Sequence, residues 1–163
     1  MHTKMKTIEI IGKNYFGHHE NSRAACRGIV LGDGRILLSF ERLTGQYMIP
    51  GGGIEDGESD RACCIREVGE ETGCLVSCGD CALTINEYYE DRQFVSRYFL
   101  CEVTGSTERK LTCREQSVGM EPVWLPVDDA KSVFGSHAVY DGVDEMRRGL
   151  YEREYRALTE LLK

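Results

Sequence analysis

Between Gly52 and Cys74 the chain reads G-x5-E-x7-R-E-V-x-E-E-x-G-C, and this spacing constrains the fold more than any other stretch. The run Gly51 to Gly53 denies a side chain to three consecutive positions, so the backbone there can be approached closely by other groups. Ser59 or Asp60 can cap a helix running to about Thr72, and Gly73 is suited to end it. At about 100° per residue, Glu67, Glu70 and Glu71 project within roughly a 100° arc of that helix, with Ala62, Ile65 and Gly69 clustered on the opposite, buried side. Three like charges so close are mutually destabilising, and they are tolerated when a hard divalent cation lies between them. Taken alone, Arg66 to Glu71 reads as an ordinary solvated acidic face. The glycine run, with Glu58 and Arg66 at fixed distances from it, favours a loop-helix metal site instead.

The rest of the chain supplies mostly strands. Ala24 to Leu31 and Arg35 to Phe40 flank Gly32-Asp33-Gly34, which predicts a hairpin. Tyr47 to Ile49 reads as a short strand stopped by Pro50, after which Gly51 to Gly53 open into a loop. Leu75 to Glu90 and Phe94 to Thr104 are rich in Val, Tyr, Phe and Thr, and Asp91-Arg92 between them predicts an antiparallel pair. Pro122 to Val127 is a last short strand holding the single Trp, Trp124, which is expected in the core. Val143, Met146, Leu150, Tyr151, Tyr155, Leu158 and Leu162 recur at helical spacing, so residues 143–162 predict a C-terminal amphipathic helix docked on the sheet. Residues 1–20 form a strand-like N-terminal extension, whose Thr7 to Ile11 stretch is able to pair across a homodimer. This order of elements predicts one α/β domain, residues 1–163, built on a mixed β-sheet.

A chain of 163 residues, 41% hydrophobic, is long enough for one substantial core. Its net charge of −7, spread along the sequence, argues against binding long nucleic acid. Small anionic substrates stay open, because a bound divalent cation can reverse the local sign of an acidic pocket. The first residues are too polar for a signal peptide, and no run approaches the ~20 apolar residues needed to span a bilayer, so no membrane role and a cytoplasmic location are expected. The eight cysteines are then expected as reduced, mostly buried thiols. Cys74, Cys78 and Cys81 form C-x3-C-x2-C, the beginning of a zinc site, but with no His nearby and a strand-like alternation the thiols are read as core residues.

In the order and spacing of Gly52, Glu58, Arg66, Glu67, Val68, Glu70, Glu71 and Gly73 the chain resembles the Nudix hydrolase family. Every polar and glycine position of that family's signature is matched. Cys74 stands where a larger aliphatic residue is usual, and a thiol is apolar enough to replace it. The resemblance implies a Nudix-type α/β/α sandwich that hydrolyses a phosphoanhydride bond in a nucleoside triphosphate or nucleotide-linked diphosphate, with Mg²⁺ or Mn²⁺ as cofactor. It implies Glu67, Glu70, Glu71 and the carbonyl of Gly51 as metal ligands, and Gly52, Gly53, Glu58 and Arg66 as supports of the site. The carboxylate that orients or deprotonates water is either Glu67 or, from a later loop, Glu115, with Glu121 a weaker competitor. For substrate, Arg23, Arg27 and Arg42 are candidates to meet phosphates, and Tyr47, Tyr88, Tyr89 or Tyr98 to stack on a base or sugar; Arg27, Arg42, Tyr47 and Tyr89 lead these sets. No proline lies between Pro50 and Pro122, where ADP-ribose-specific relatives tend to carry one, and the motif of the coenzyme A subgroup is not recognisable. A catalytically weak nucleotide-binding regulatory module on the same fold is the alternative, disfavoured because every signature glutamate is present. An isoprenoid diphosphate isomerase is more remote.

Overall fold

A computed structural model describes residues 5–163. Its strands are Lys6–Ile11 (β1), Asn21–Gly32 (β2), Arg35–Glu41 (β3), Gln46–Met48 (β4), Gly51–Gly53 (β5), Cys74–Tyr89 (β6), Arg92–Ser106 (β7) and Met120–Pro126 (β8). The helices are Asp60–Thr72 (α1), Cys113–Ser117 (α2), Val127–Gly135 (α3) and Glu145–Leu161 (α4), with a 3₁₀ turn at Ser136–Tyr140. The strands join in the order β1-β6-β7-β2-β3-β4, with β5 added to β2 and β8 to β3. β1 runs parallel to β6 and β2 parallel to β7, while the other pairs are antiparallel, so the α/β fold with a mixed sheet is as expected.

Strand alternation divides the core into two layers. Ile29, Ile36 and Leu38 enter one cluster with Phe134 of α3 and Tyr151 and Leu158 of α4. Their neighbours Val30 and Leu37 enter the other, with Cys63, Cys64 and Val68 of α1. Helices therefore cover both faces of the sheet, the sandwich that the resemblance implied. The buried side of α1 differs from the expectation: Ala62 is exposed and Ile65 half-buried, while Cys63, Cys64 and Val68 are fully buried. Two adjacent thiols serve as small apolar residues and turn the helix about its axis.

Other expectations change as well. The predicted hairpin exists only at its tip, where Leu31 pairs with Ile36 and Gly32 with Arg35 around Asp33 (φ 53°) and Gly34 (φ 75°). Beyond that point β2 leaves β3 and is claimed by β7 on one side and β5 on the other. Gly51 to Gly53 are a short strand, not an open loop, and α2, α3 and the 3₁₀ turn had no clear signal. Trp124 is 37% exposed instead of lying in the core. Val143 precedes the N-cap Asp144 and so falls outside the helical phase, and Met146 sits in the first turn of α4; they are 81% and 88% exposed. β1 pairs within its own chain, from Lys6 opposite Leu83 to Ile11 opposite Tyr88, so this edge of Thr7 to Ile11 is already occupied. Among the described residues no helix is long and apolar enough to cross a membrane.

Candidate active site

Local sequence explains how α1 is held. Ser59 caps it by accepting a hydrogen bond from the Ala62 N–H, and Gly73 ends it at φ 77° with its N–H on the Gly69 carbonyl. β5 runs in front of the helix, antiparallel to β2, with Gly51 opposite Arg27, Gly52 opposite Cys26 and Gly53 opposite Ala25. The approaches are too close for any side chain. A Cβ on Gly51 would lie 2.4 Å from the Cys26 carbonyl oxygen, and one on Gly52 would lie 2.6 Å from the Glu67 carboxylate.

Arg66 is the hub of the acidic face. Its Nε donates to Glu58 Oε2 (2.7 Å) and its Nη2 to Glu58 Oε1 (2.9 Å), a bidentate pair, while Nη2 also donates to the Gly53 carbonyl (3.1 Å). The remaining nitrogen, Nη1, reaches Glu67 Oε1 (2.8 Å) and Glu70 Oε2 (3.3 Å). Hydrogen bonds from Arg66 hold the Glu58 carboxyl down to about 2. Burial acts the other way on its neighbours: Glu67 is pushed up, and Glu71, 3% exposed, is pushed up to about 8 by burial and then by the charge of Glu115. Glu71 Oε2 accepts from the Ser39 hydroxyl (3.0 Å) and the Gly51 N–H (3.3 Å), which ties α1 to β3 and to the start of β5.

Glu115, in α2, closes a capping box with Thr112, and its charge is felt by both Glu67 and Glu71. Glu121 instead faces Arg42 on the surface at 3.9 Å. Arg27 is half-buried, donates to Ser96 Oγ (3.3 Å) and lies near enough to Glu71 to favour its charged form. Arg23 runs alongside Gly53. The structure thus gathers Gly51 to Gly53, Glu58, Arg66, Glu67, Glu70, Glu71, Glu115, Arg23 and Arg27. Other candidates are engaged elsewhere. Arg42 pairs with Glu121; the Tyr47 ring stacks on Phe40 at 4.6 Å, with its N–H on the Tyr151 hydroxyl; Tyr98 is fully buried on Glu154; and Tyr88 lies against Tyr15. Tyr89 donates to Glu87 and lines a separate cavity of about 970 Å³ beside Arg148 and Arg153, which none of the glutamates on α1 line.

Two residues behind the site escaped sequence reasoning. Ser39 sits at a fully buried position of the run Ile36 to Phe40, and a lone hydroxyl among apolar neighbours was the available signal. Glu154 accepts from the Ile49 N–H (2.8 Å) and from the Tyr98 hydroxyl (2.5 Å), anchoring the segment that leads into Gly51. It falls three residues after Tyr151 and four before Leu158, on the apolar stripe of α4, where a carboxylate is out of pattern.

The donor set around Glu67, Glu70, Glu71, Glu115 and the Gly51 carbonyl is all oxygen, the chemistry of a hard cation, and Arg66 alone bridges Glu67 to Glu70. Among the described residues, however, the trio whose ligand atoms all lie within 4.8 Å of one another is Cys64, Cys78 and Cys101. Cys74 and Cys81 of the C-x3-C-x2-C spacing are not in it, although both pack against the same cluster as Cys78; the thiols are free and mostly buried or half-buried, as the core reading expected.

A family profile described as NUDIX domain matches residues 21–143. The human diphosphoinositol polyphosphate phosphohydrolase NUDT4B is 34% identical over 104 residues, covering 63% of this chain and 55% of that protein. The Mus musculus diphosphoinositol polyphosphate phosphohydrolase 3-alpha is 30% identical over 102 residues, 63% of this chain and 60% of that one. The chain thus matches somewhat more than half the length of these curated relatives. In fold it is similar to a NUDIX hydrolase from Nitrosomonas europaea, with a TM-score of 0.57 at 22% identity over 69% of this chain and 77% of that one.

Proposed function

The chain belongs to the NUDIX family, and on that premise we propose that it hydrolyses a phosphoanhydride bond in a nucleoside triphosphate or nucleotide-linked diphosphate, with a divalent cation as cofactor. One observation carries the reading: the carboxylates of Glu67 and Glu71, with Glu70 and Glu115 nearby, face a strand stripped of side chains. In this reading Glu67, Glu70, Glu71 and the Gly51 carbonyl hold Mg²⁺ or Mn²⁺, which when bound stabilises charge on the phosphate oxygens. Glu67 and Glu70 would be drawn away from Arg66 to do so, while Arg66 keeps its bidentate hold on Glu58 and its bond to the Gly53 carbonyl. Glu67 or Glu115 orients the attacking water and takes its proton. Arg23 and Arg27, both beside β5, accept the phosphate chain.

The names of the curated relatives favour a second substrate, a diphosphoinositol polyphosphate. Such a ring carries many phosphates, and among the described residues the cations beside β5 with no carboxylate in a salt bridge are Arg23 and Arg27, which suit a chain of two or three phosphates better. The test is a phosphate-release panel spanning nucleoside triphosphates, ADP-ribose, sugar nucleotides, dinucleoside polyphosphates and a diphosphoinositol polyphosphate, with and without Mg²⁺ or Mn²⁺. Release is expected only with the cation, and roughly 100-fold slower or worse in Glu70→Gln, since metal charge stabilisation is worth several kcal/mol. Unchanged hydrolysis in that variant sinks the site assignment. A wild-type chain that binds a nucleotide but cleaves nothing on the panel favours the regulatory module.

A further inference from the structure

We propose that Cys64, Cys78 and Cys101 form a second metal site that takes a soft d¹⁰ cation, Zn²⁺. The three thiols come from three elements, α1, β6 and β7, and Cys78 and Cys101 are direct cross-strand partners. A tetrahedral zinc with Zn–S bonds of about 2.3 Å places its sulfurs about 3.8 Å apart. Cys64 and Cys101 are separated by 3.8 Å and Cys64 and Cys78 by 3.7 Å, so two edges of the tetrahedron already have the required length. The third, Cys78 to Cys101, is 2.8 Å and must open by about 1 Å. Cys78 is the half-buried member and has the room to turn, whereas Cys64 and Cys101 are 0% and 3% exposed.

The surroundings suit the cation. Gly28 forms the floor: a Cβ there would stand 3.3 Å and 3.4 Å from the sulfurs of Cys64 and Cys101 and would collide with Val68. Arg61, one turn before Cys64, donates to the Gly79 carbonyl (3.2 Å) and to Asp80 (2.6 Å), tying the irregular part of β6 beside Cys78 to the same helix. Three thiolates prefer zinc to the hard cations that carboxylates select, so the two sites do not compete for the same ion. On binding, each thiol gives its proton to solvent and forms one S–Zn bond, and water fills the fourth position on the half-exposed side of Cys78. Cys64 precedes Arg66 by two residues and Glu67 by three, so the cation would clamp the acidic helix to the β6–β7 hairpin.

The experiment uses the full chain, reduced and stripped of metal, in excess Mg²⁺ so that the carboxylates are already occupied. One equivalent of Co²⁺, read by its thiolate-to-cobalt charge-transfer absorption, and then Zn²⁺, read by stoichiometry and thermal shift, are added to the wild type, C78S, C101S and C81S. The expected result is one ion per chain, a charge-transfer band, and a rise in Tm with zinc. Affinity falls roughly tenfold or more in C78S and C101S, and stays unchanged in C81S. Should C101S fail to fold, C78S carries the test, because its site is half-exposed. No charge-transfer band in the reduced wild type, or a band that survives C78S, overturns the proposal; so does a band lost equally in C81S, or a Cys78–Cys101 disulfide whose reduction yields a chain that takes no metal.

Discussion

At Gly52 one added methyl group would meet the Glu67 carboxylate at 2.6 Å, so the absence of a side chain is a requirement of the site and not of the backbone conformation. Gly52→Ala should therefore displace Glu67 and cut metal affinity and turnover roughly 10- to 100-fold, the range seen when supports of a metal site are lost. Circular dichroism should be unchanged, and titration with Mn²⁺ measures the loss. Glu58 has a different residue-level signature. Its carboxyl sits at about 2 in the folded chain against an ordinary 4.5, so its contribution to stability is fully present above about pH 4.5 and is lost as pH falls toward 2. Urea midpoints of Glu58→Gln should lie below the wild type at pH 6 and converge with it near pH 2. Midpoints that stay parallel through that window would show that the Arg66 pair contributes nothing.

Among the elements, α4 acts on the site from a distance, through Glu154. Glu154→Leu removes the acceptor for the Ile49 N–H and the Tyr98 hydroxyl and leaves the buried Arg153 with Glu87 as its one carboxylate partner, which should cost about 2–4 kcal/mol in chemical denaturation. The surviving folded fraction should also turn over more slowly, because Ile49 leads into Gly51. Elements with strong periodic or capping signals could be read from the sequence: α1 between Ser59 and Gly73, the β6–β7 pair, and the body of α4. The glutamates and Arg66 were legible for the same reason, since one short helix sets their spacing. What was not legible depends on strands meeting far along the chain. That Gly51 to Gly53 would pair with β2, that Ser39 would reach Glu71, and that Cys78 would meet Cys64 and Cys101 are all decided by sheet order and register. The tyrosines lie away from the glutamate cluster, because on a half-buried strand a ring and its hydroxyl are used for packing as readily as for binding.

For the molecule as a whole, a cation held by the folded site and not by the unfolded chain must raise stability. Mg²⁺ at about 100 times its Kd should add about 2.7 kcal/mol, a rise in Tm of roughly 5–10 °C for a chain of this size. EDTA should reverse the shift and Glu71→Gln should abolish it in differential scanning calorimetry. The parallel pairings have a consequence of their own, in time. Ser22 and Gln93, bonded across β2 and β7, are 71 residues apart, and Glu9 and Asn86, bonded across β1 and β6, are 77 apart. At about 5–20 residues per second a ribosome needs roughly 4–15 s to deliver those partners. Through that interval the edge of β2 that carries Ile29 and Val30 has β3 and β5 beside it but not its long parallel partner β7. The two parallel pairings of the sheet therefore close only after the β6–β7 hairpin has been made.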